Sequence, residues 1–214
     1  MTEAFTQAFW DTRYSSRSEL WSGRPNVQLL AHASELDAGT ALDVGCGEGA
    51  DAIWLAQRGW HVTALDVSPV ALQRGARRAA EIGADVARRI GWLHEDLLTW
   101  KGPKPASYDL VSAQFMHLPK EPREALFRLL TVSVAPGGTL LIVGHHPSDL
   151  QTTARRPRTP ELFYTASEVA ESFEPGAWEI VVDAAPERST TDPQGNTVLI
   201  HDTVLVARRW PNSS

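Results

Sequence analysis

The chain has 214 residues, of which 43% are hydrophobic and 21% are charged, and this composition excludes a disordered or fibrous protein. The formal net charge of −6 excludes a global positive field for nucleic acid or anionic lipid, and the length favours one large domain. The single cysteine, Cys46, excludes an internal disulfide and a cysteine-rich zinc site, and no apolar run approaches the roughly 18–20 residues of a membrane span.

The N-terminal residues predict a helical cap. Thr2–Tyr14 predicts an aromatic-edged helix, and Pro25–Ser34 predicts a second helix with proline in its first turn. The polar connector Ser15–Gly23 separates them. The first segment carries acids and lacks the basic-then-apolar order of a signal peptide, so we expect a cytoplasmic protein.

A regular alternation of strands and helices follows the cap. The predicted strands are Thr40–Val44, His61–Asp66, Ile90–His94, Tyr108–Ala113 and Thr139–Gly144, and the predicted helices are Ala50–Arg58, Pro69–Ile82 and Glu121–Val134. Gly59 suits the position after a helix C-terminus, and Ser68 suits the N-cap before Pro69. This alternation predicts a parallel sheet with helices on both faces.

The C-terminal segment predicts antiparallel strands. Thr165 and Glu168 match a capping box that begins a helix. Two further strands, Trp178–Ala184 and Val198–Ala207, flank the turn-forming cluster Asp192–Asn196. The predicted fold class is therefore α/β and doubly wound, with a mostly parallel seven-stranded sheet that ends in an antiparallel hairpin.

A glycine-rich loop joins the first buried strand to the next helix. Gly45, Gly47 and Gly49 let a ligand lie against backbone amides, and the helix N-terminus adds partial positive charge. Asp66 ends the second strand, where a carboxylate can accept the hydroxyl protons of a ribose. The pattern predicts a nucleotide-like ligand and leaves its identity open, because Gly45, Gly47 and Ala50 also satisfy the fingerprint for NAD.

Five motifs, in order, resemble those of the class I S-adenosylmethionine-dependent methyltransferases. They are LDVGCGEG at Leu42–Gly49, VTALDVS at Val62–Ser68, Glu95–Leu97, YDLVSAQFMHL at Tyr108–Leu118 and APGGTLLIV at Ala135–Val143. The resemblance implies a Rossmann-like fold with S-adenosyl-L-methionine as cofactor. It divides a single methyltransferase domain, residues 1–214, into a helical cap (1–36), a cofactor-binding core (37–145) and a substrate-side connector with antiparallel strands (146–214).

The resemblance also implies roles for the residues around the glycine loop. Gly45–Gly47 should back the methionine portion of the cofactor, with Cys46 as a small packing residue. Asp43 should help to order the loop, although an ordinary turn residue at a strand end would look the same. Asp66 should bind the ribose hydroxyls, with Val67 against the adenine.

Further contacts are implied beyond the third and fourth strands. Asp96 and the amide of Leu97 should meet the adenine amino group, unless Asp96 serves only as a helix cap. Gln114 and His117 should lie beside the sulfonium and its methyl group. A partly buried loop histidine is an equal alternative for His117.

The two ends of the chain indicate a subclass. FWDTRY at Phe9–Tyr14 and LWSGRPN at Leu20–Asn26 resemble the N-terminal cap of the thiopurine and tellurite-resistance type of small methyltransferases, and Thr191–Arg209 resembles the closing hairpin of the tellurite type. The candidates for a lid over the substrate are Trp10, Arg13 and Tyr14, and those for cofactor contacts are Trp21 and Arg24. Arg24 could pair with the cofactor carboxylate. Simple packing of these side chains on the core is the alternative interpretation.

The sequence also departs from the tellurite type. Ser189-Thr190 stands where those proteins carry a histidine–arginine pair before the hairpin turn, which puts that kind of oxyanion binding in doubt. Arg155, Arg156 and Arg158 lie in a connector after the fifth strand, where they could attract an anionic substrate or form a solvated loop.

Three histidines are the candidate catalytic bases: His117, His145 and His146. His145 and His146 are adjacent on a strand and face opposite sides, so they are not expected to chelate one metal, and we predict no metal site. One of them could point into the pocket as a general base.

The predicted reaction is in-line methyl transfer to a small-molecule acceptor, with a thiol or chalcogen ahead of oxygen and nitrogen nucleophiles. The alternatives are an O- or N-methyltransferase, a non-catalytic sensor that binds the cofactor, and an NAD-linked oxidoreductase. The net charge, and a Gln114–His117 segment in place of an Asn-Pro-Pro-Tyr-like signature, disfavour a nucleic-acid substrate. A monomer and a homodimer fit equally well.

Overall fold

A twisted sheet forms the framework of the protein in a computed structural model that describes residues 6–16, 22–157 and 159–211. Within these residues the strands are β1 Thr40–Val44, β2 His61–Asp66, β3 Ile90–His94, β4 Tyr108–Gln114, β5 Val134–His145, β6 Trp178–Ala184, β7 Glu187–Thr191 and β8 Thr197–Arg209. The helices are α1 Gln7–Ser15, α2 Val27–Ala33, α3 Ala50–Gln57, α4 Pro69–Ile82, α5 Ala84–Ala87, α6 Lys120–Ser133 and α7 Ala166–Ala170. Two short 3-10 helices follow β5, at Pro147–Gln151 and Pro160–Leu162.

The strand order β3-β2-β1-β4-β5-β8-β6 confirms the predicted doubly wound fold. Strands β1 to β5 are parallel, whereas β8 runs antiparallel to β5, β6 and β7. The chain order reverses between β1 and β4. A crevice therefore opens beyond the carboxyl ends of these two strands, where doubly wound folds bind their ligands.

The prediction of seven strands was wrong by one, because β7 also pairs with β8. The turn after β7 is closed by Asp192, whose amide donates to the carbonyl of Asn196 at 2.9 Å and whose Oδ1 accepts from the Gln194 amide at 2.9 Å. β7 reads ERSTT and lacks the alternating apolar residues that mark a strand. Pairing with β8, rather than its own pattern, makes this segment extended.

Several element ends also differ from the predicted ones. β5 begins at Val134 rather than Thr139, because Val134 already pairs with Tyr108 of β4, and residues 135–138 form an irregularity in the register before Thr139 pairs with Leu110. Helix α1 begins after Thr6, whose hydroxyl accepts from the amide of Phe9 at 3.3 Å. The first four residues of the predicted helix, residues 2–5, lie outside the described residues.

Two hydrophobic clusters cover the two faces of the sheet. Along β1, Ala41 belongs to one cluster and Leu42 to the other, and both are fully buried. Trp60 fills the first cluster beneath α3, while Phe127 of α6 and Tyr164 fill the second. Helices therefore cover both faces, and the open edge at the strand ends is left for a ligand.

Candidate active site

A cavity of about 1790 Å³ opens at the carboxyl ends of β1, β2, β4 and β5. Its walls include most of the residues that the sequence singles out: Trp10, Arg13, Tyr14, Arg24, Asp43, Gly45, Cys46, Gly47, Asp66, Val67, Asp96, Leu97, Gln114, His117 and His145. Trp21 lies outside the described residues. The fold thus brings residues separated by more than 100 positions in the chain to one crevice.

The glycine loop after β1 forms the inner end of the cavity. Gly45, Gly47 and Gly49 have φ values of 69°, 53° and 75°, a region that other L-residues seldom adopt. The amides of Gly45 and Cys46 both donate to the carbonyl of Leu65 in β2, at 2.9 and 3.0 Å. These bonds hold the loop against the neighbouring strand and leave the first turn of α3 facing the cavity.

Asp66 fastens the same loop from the end of β2. Its Oδ2 accepts from the amide of Gly47 at 2.9 Å, and its Oδ1 accepts from the amide of Ser68 at 2.9 Å. Burial raises the pKa of Asp66, and the hydrogen bonds from these two amides oppose that shift. Each carboxylate oxygen keeps a further lone pair that a ribose hydroxyl could use.

Three carboxylates form an acidic floor beside the loop: Asp43 and Asp66, which are buried, and Asp51, which is partly buried. The pKa of Asp43 is raised well above its usual value, first by burial and then by repulsion from Asp51 and Asp66. Its Oδ2 is buried and accepts no hydrogen bond within the described chain. A positively charged ligand group would offset this arrangement. The sequence analysis missed Asp51, whose only local signal is an acid in the first turn of α3.

The outer wall beyond β2 and β3 carries Asp96 and Leu97. Asp96 is exposed to the cavity, and its Oδ1 accepts from the amide of Leu98 at 3.0 Å. It thus caps the short turn that follows it, and its other oxygen remains available. Val67 lines the same end of the cavity, with its carbonyl bound by the ring of His94 at 3.0 Å.

A pair of histidines lies at the ends of β4 and β5. The Nε2 atoms of His117 and His145 are 3.3 Å apart, so one ring donates to the other. Burial, followed by repulsion from nearby arginines, lowers the pKa of His117 to about 4 and that of His145 to about 3. Both rings are therefore neutral at pH 7. The Nδ1 of His145 is buried without a hydrogen bond in the described chain.

Aromatic rings surround this pair. Trp10 of α1 lies 6.1 Å from the ring of His117, and Phe115 lies 4.9 Å from the ring of His145. Phe115 also has a φ of 52°, which is strained for a residue with a side chain. Gln114 directs its Nε2 to Ser112 at 3.1 Å, and its Oε1 is buried without a partner in the described residues.

The candidate base His146 is placed differently. Its Nδ1 lies 2.9 Å from Oγ of Ser148, and His146 is the N-cap of the 3-10 helix that follows β5. It is not part of the cavity lining. The two adjacent histidines do face opposite sides, as the strand geometry requires. His146 is therefore not positioned for acid–base chemistry in this cavity.

Helix α1 lies along one wall of the cavity. Tyr14 is 3% exposed, and Trp10 lies between Tyr14 and His117. Oδ1 of Asp11 accepts a hydrogen bond of 2.5 Å from Oγ of Ser68, the N-cap of α4. Helix α1 is thus hydrogen-bonded to the residue two positions beyond Asp66.

The connector after β5 supplies a wall that the sequence analysis left open. Arg156 is mostly buried, with Nε 2.8 Å from Oδ2 of Asp149, so the solvated-loop interpretation was wrong for this arginine. Arg155 lines the cavity and is exposed, and Arg158 lies outside the described residues. A second arginine, Arg188 of β7, pairs with Asp202 at the same wall, and its strand was not predicted.

The described residues hold no group of three or more histidine, cysteine or acidic side chains arranged to bind a metal ion. None of their helices is both long and apolar enough to cross a membrane.

Comparison with known sequences relates the chain to methyltransferases. The model of the methyltransferase domain family matches residues 41–138. An uncharacterized methyltransferase of Mycobacterium tuberculosis is 40% identical over 124 residues, which cover 58% of this chain and 59% of that protein. A ubiquinone biosynthesis O-methyltransferase of Xylella fastidiosa is 32% identical over 142 residues, which cover 65% and 55%. The match thus spans less than two thirds of these curated relatives.

Solved structures share the fold over nearly the whole chain. TehB from Haemophilus influenzae has a TM-score of 0.67 and 19% identity, covering 95% of this chain and 66% of TehB. A structure from work on the conversion of a disulfide bond into a thioacetal group during echinomycin biosynthesis has a TM-score of 0.71 and 22% identity, covering 97% and 93%. At these identities, the likeness establishes the fold.

Proposed function

We propose that the chain is an S-adenosylmethionine-dependent methyltransferase of class I, because residues 41–138 match the methyltransferase domain family. In this proposal, residues 1–36 form the cap, residues 37–145 bind the cofactor, and residues 146–214 form the substrate side. The proposed acceptor is a small molecule, since a cavity of about 1790 Å³ that is lined by side chains of the chain itself has room for one beside the cofactor.

The acidic floor is the observation that carries this proposal. S-adenosylmethionine is a sulfonium with an ammonium group, and the unpartnered Oδ2 of Asp43 beside Asp51 and Asp66 suits a positive ligand. Asp66 suits the ribose, and Asp96 and Leu97 suit the adenine. Such an array of uncompensated carboxylates does not suit the pyrophosphate of NAD, so the charge of the floor favours the sulfonium cofactor over the dinucleotide.

Residues of the chain align the reactants and exclude water. When bound, the cofactor supplies a methyl group that its sulfonium already activates. Trp10 and Tyr14 cover the cavity, while Gln114 and His117 line the wall at the end of β4.

The histidine pair favours an acceptor that ionises easily. With pKa values of about 4 and 3, His117 and His145 are weak bases, too weak to assist most alcohols. A thiol, selenol or soft anion needs little such assistance. O-methylation of an acidic hydroxyl is the second candidate, because the pair faces the cavity and one curated relative is named as an O-methyltransferase.

Calorimetric titration with S-adenosylmethionine and S-adenosylhomocysteine tests the cofactor assignment. Asp66→Ala should weaken binding of both by about 1–3 kcal/mol, because charge-assisted hydrogen bonds are lost. Asp85→Ala is the matched control, since Asp85 is an exposed carboxylate paired only with Arg88 on the surface. Unchanged affinity in Asp66→Ala would remove Asp66 from the site, and absence of binding to the native protein would sink the methyltransferase assignment.

Release of S-adenosylhomocysteine across small thiols, selenite, tellurite, iodide, phenols and amines then tests the acceptor class. Turnover on thiols or soft anions supports the first candidate, and turnover confined to phenols supports O-methylation. Tight cofactor binding without turnover on any compound would favour a non-catalytic sensor.

A further inference from the structure

The wall of the cavity around the histidine pair carries two arginines that are each held by a buried aspartate. Arg156 comes from the connector after β5, and Arg188 comes from β7. Their partners, Asp149 and Asp202, are each 1% exposed. We call Arg156 and Arg188 the arginine wall.

Arg156 is an anchored guanidinium with unused donors. Its side chain is 12% exposed, and its Nε donates to Oδ2 of Asp149 at 2.8 Å. Nη2 lies 2.8 Å from the same oxygen yet is buried without a hydrogen bond of good geometry. Asp149 turns its other oxygen to the amide of His201 at 2.8 Å. One carboxylate oxygen therefore serves a group with five N–H donors, and the remaining donors need a partner.

Arg188 is anchored by two parallel hydrogen bonds. Its Nε and Nη2 lie 2.8 and 3.0 Å from the two carboxylate oxygens of Asp202, which leaves Nη1 for another partner. Asp202 is paired with His145 in the register between β5 and β8. The second guanidinium is thus fixed beside the histidine pair by the sheet itself.

Charge is unevenly distributed along the cavity. Carboxylates form the floor beside the glycine loop, whereas Arg13 and Arg155 add positive charge on the side of the arginine wall. The field of Arg156 reaches both histidine rings, because it contributes to the lowered pKa of His117 and of His145. A negative group placed between the wall and the histidines would be stabilised by these cations.

Shape adds a second constraint. The rings of Trp10 and Phe115 lie against the two histidines, so four flat side chains lie together in the lining of the cavity that also contains the arginine wall. Flat rings favour a planar ligand that can stack on them.

We propose that the acceptor is a planar small molecule carrying a carboxylate or comparable oxyanion, and that Arg156 and Arg188 bind this anion and determine acceptor specificity. The inference rests on the proposed methyltransferase function. It adds that the acceptor is selected by charge, through two guanidinium groups that the sheet and connector hold in place.

The test compares 2-mercaptobenzoate with its uncharged methyl ester. Binding to the protein saturated with S-adenosylhomocysteine is measured by calorimetry, where no turnover can occur. The acid should bind at least about tenfold more tightly than the ester, a difference of about 1.4 kcal/mol. Equal affinity for acid and ester, or no binding of either, would overturn the proposal.

Charge-conserving double variants assign the effect to the arginine wall. Asp149→Asn with Arg156→Gln, and Asp202→Asn with Arg188→Gln, remove each ion pair whole and so leave no buried charge unpaired. Each should lose most of the preference for the acid while keeping its affinity for S-adenosylhomocysteine. Arg128→Gln removes an exposed arginine of α6 and should keep the preference. A preference that survives in both double variants would also overturn the proposal.

Steady-state methylation of the same two thiols gives an independent readout. In the double variants KM for the acid should rise at least about tenfold while KM for the ester stays constant, whereas a merely structural defect would affect both. Two titrations separate the two hypotheses: one with S-adenosylhomocysteine alone, and one of the acid and the ester without it. Failure of the cofactor to bind counts against the proposed function, and equal binding of acid and ester counts against the arginine wall.

Discussion

Asp51 lies in the first turn of α3, where its Oδ1 accepts a hydrogen bond of 2.7 Å from the amide of Asn26. Burial raises its pKa to about 6. Its charge in turn raises the pKa of Asp43. At pH 7 the folded protein thus keeps an ionised carboxylate in surroundings that disfavour the charge, and this arrangement lowers the stability of the fold. A cationic ligand that binds beside Asp51 would explain why the carboxylate is there.

Asp51→Asn should increase stability and weaken cofactor binding. The asparagine can still accept from Asn26, but it removes a charge from the acidic floor. At pH 8 the carboxylate is ionised in both the folded and the unfolded chain, so we expect a gain of about 1 kcal/mol, or roughly 2–4 °C in Tm. The gain should shrink as the pH falls through about 6, where the folded carboxylate takes up its proton, and should vanish below about pH 4, where the unfolded chain is protonated as well. Affinity for S-adenosylmethionine should fall about tenfold by calorimetry. A lower Tm at pH 8 with unchanged affinity would contradict this account.

The turn from β1 into α3 depends on Gly49, which precedes the first residue of the helix. Gly49 is the N-cap of α3 with a φ of 75°, and a Cβ at this position would clash with the ring of Trp92 from β3. Gly195, in the turn between β7 and β8, has a φ of 88° and open space around its Cα. The two glycines therefore separate the cost of the backbone conformation from the cost of the clash.

Gly49→Ala should destabilise the protein more than Gly195→Ala. The second change carries the conformational cost alone, about 1–2 kcal/mol. The first adds overpacking against Trp92, for a total of about 2–5 kcal/mol. Urea unfolding of both variants measures the difference. Equal losses would mean that β3 and the loop can move apart freely.

The charges of the molecule as a whole are separated across one crevice. Carboxylates end β1 and β2 or begin α3, whereas cations enter from the connector, β7 and α1. A sulfonium donor and an anionic acceptor would each meet a wall of opposite charge. Methyl transfer would neutralise the sulfonium, whereas an anionic group of the acceptor that does not take part in the reaction would keep its charge beside the arginine wall.

The neutral histidines give stability a characteristic pH dependence. The unfolded chain takes up protons near pH 6.5, whereas His145 in the folded chain has a pKa of about 3. The free energy of unfolding should therefore decrease as the pH falls from about 6.5 towards about 4. His145→Asn should reduce this slope by at most about 1.4 kcal/mol per pH unit. Urea unfolding of both proteins across this pH range gives the slope of the free energy of unfolding against pH. A loss of packing in the variant shifts the free energy equally at every pH and so leaves the slope unchanged. An unchanged slope would show that His145 is protonated in the folded state.

Much of the fold and of the cofactor side follows from local patterns in the sequence. Hydrophobic runs and turn residues within short windows predict the first five strands along the chain and the glycine loop after the first of them. They also place Asp43 and Asp66 near the ends of their strands. These signals reflect backbone preferences of neighbouring residues, so one sequence is enough to find them.

The arrangement around the histidine pair, where we propose that the acceptor binds, was decided only by the tertiary structure. The 3.3 Å approach of His117 and His145, the Arg156–Asp149 and Arg188–Asp202 pairs, and the strand β7 depend on register and on packing. Such contacts join residues whose spacing along the chain carries no period. Their side chains meet because the sheet aligns strand ends, and that alignment is a property of the whole fold rather than of any local segment.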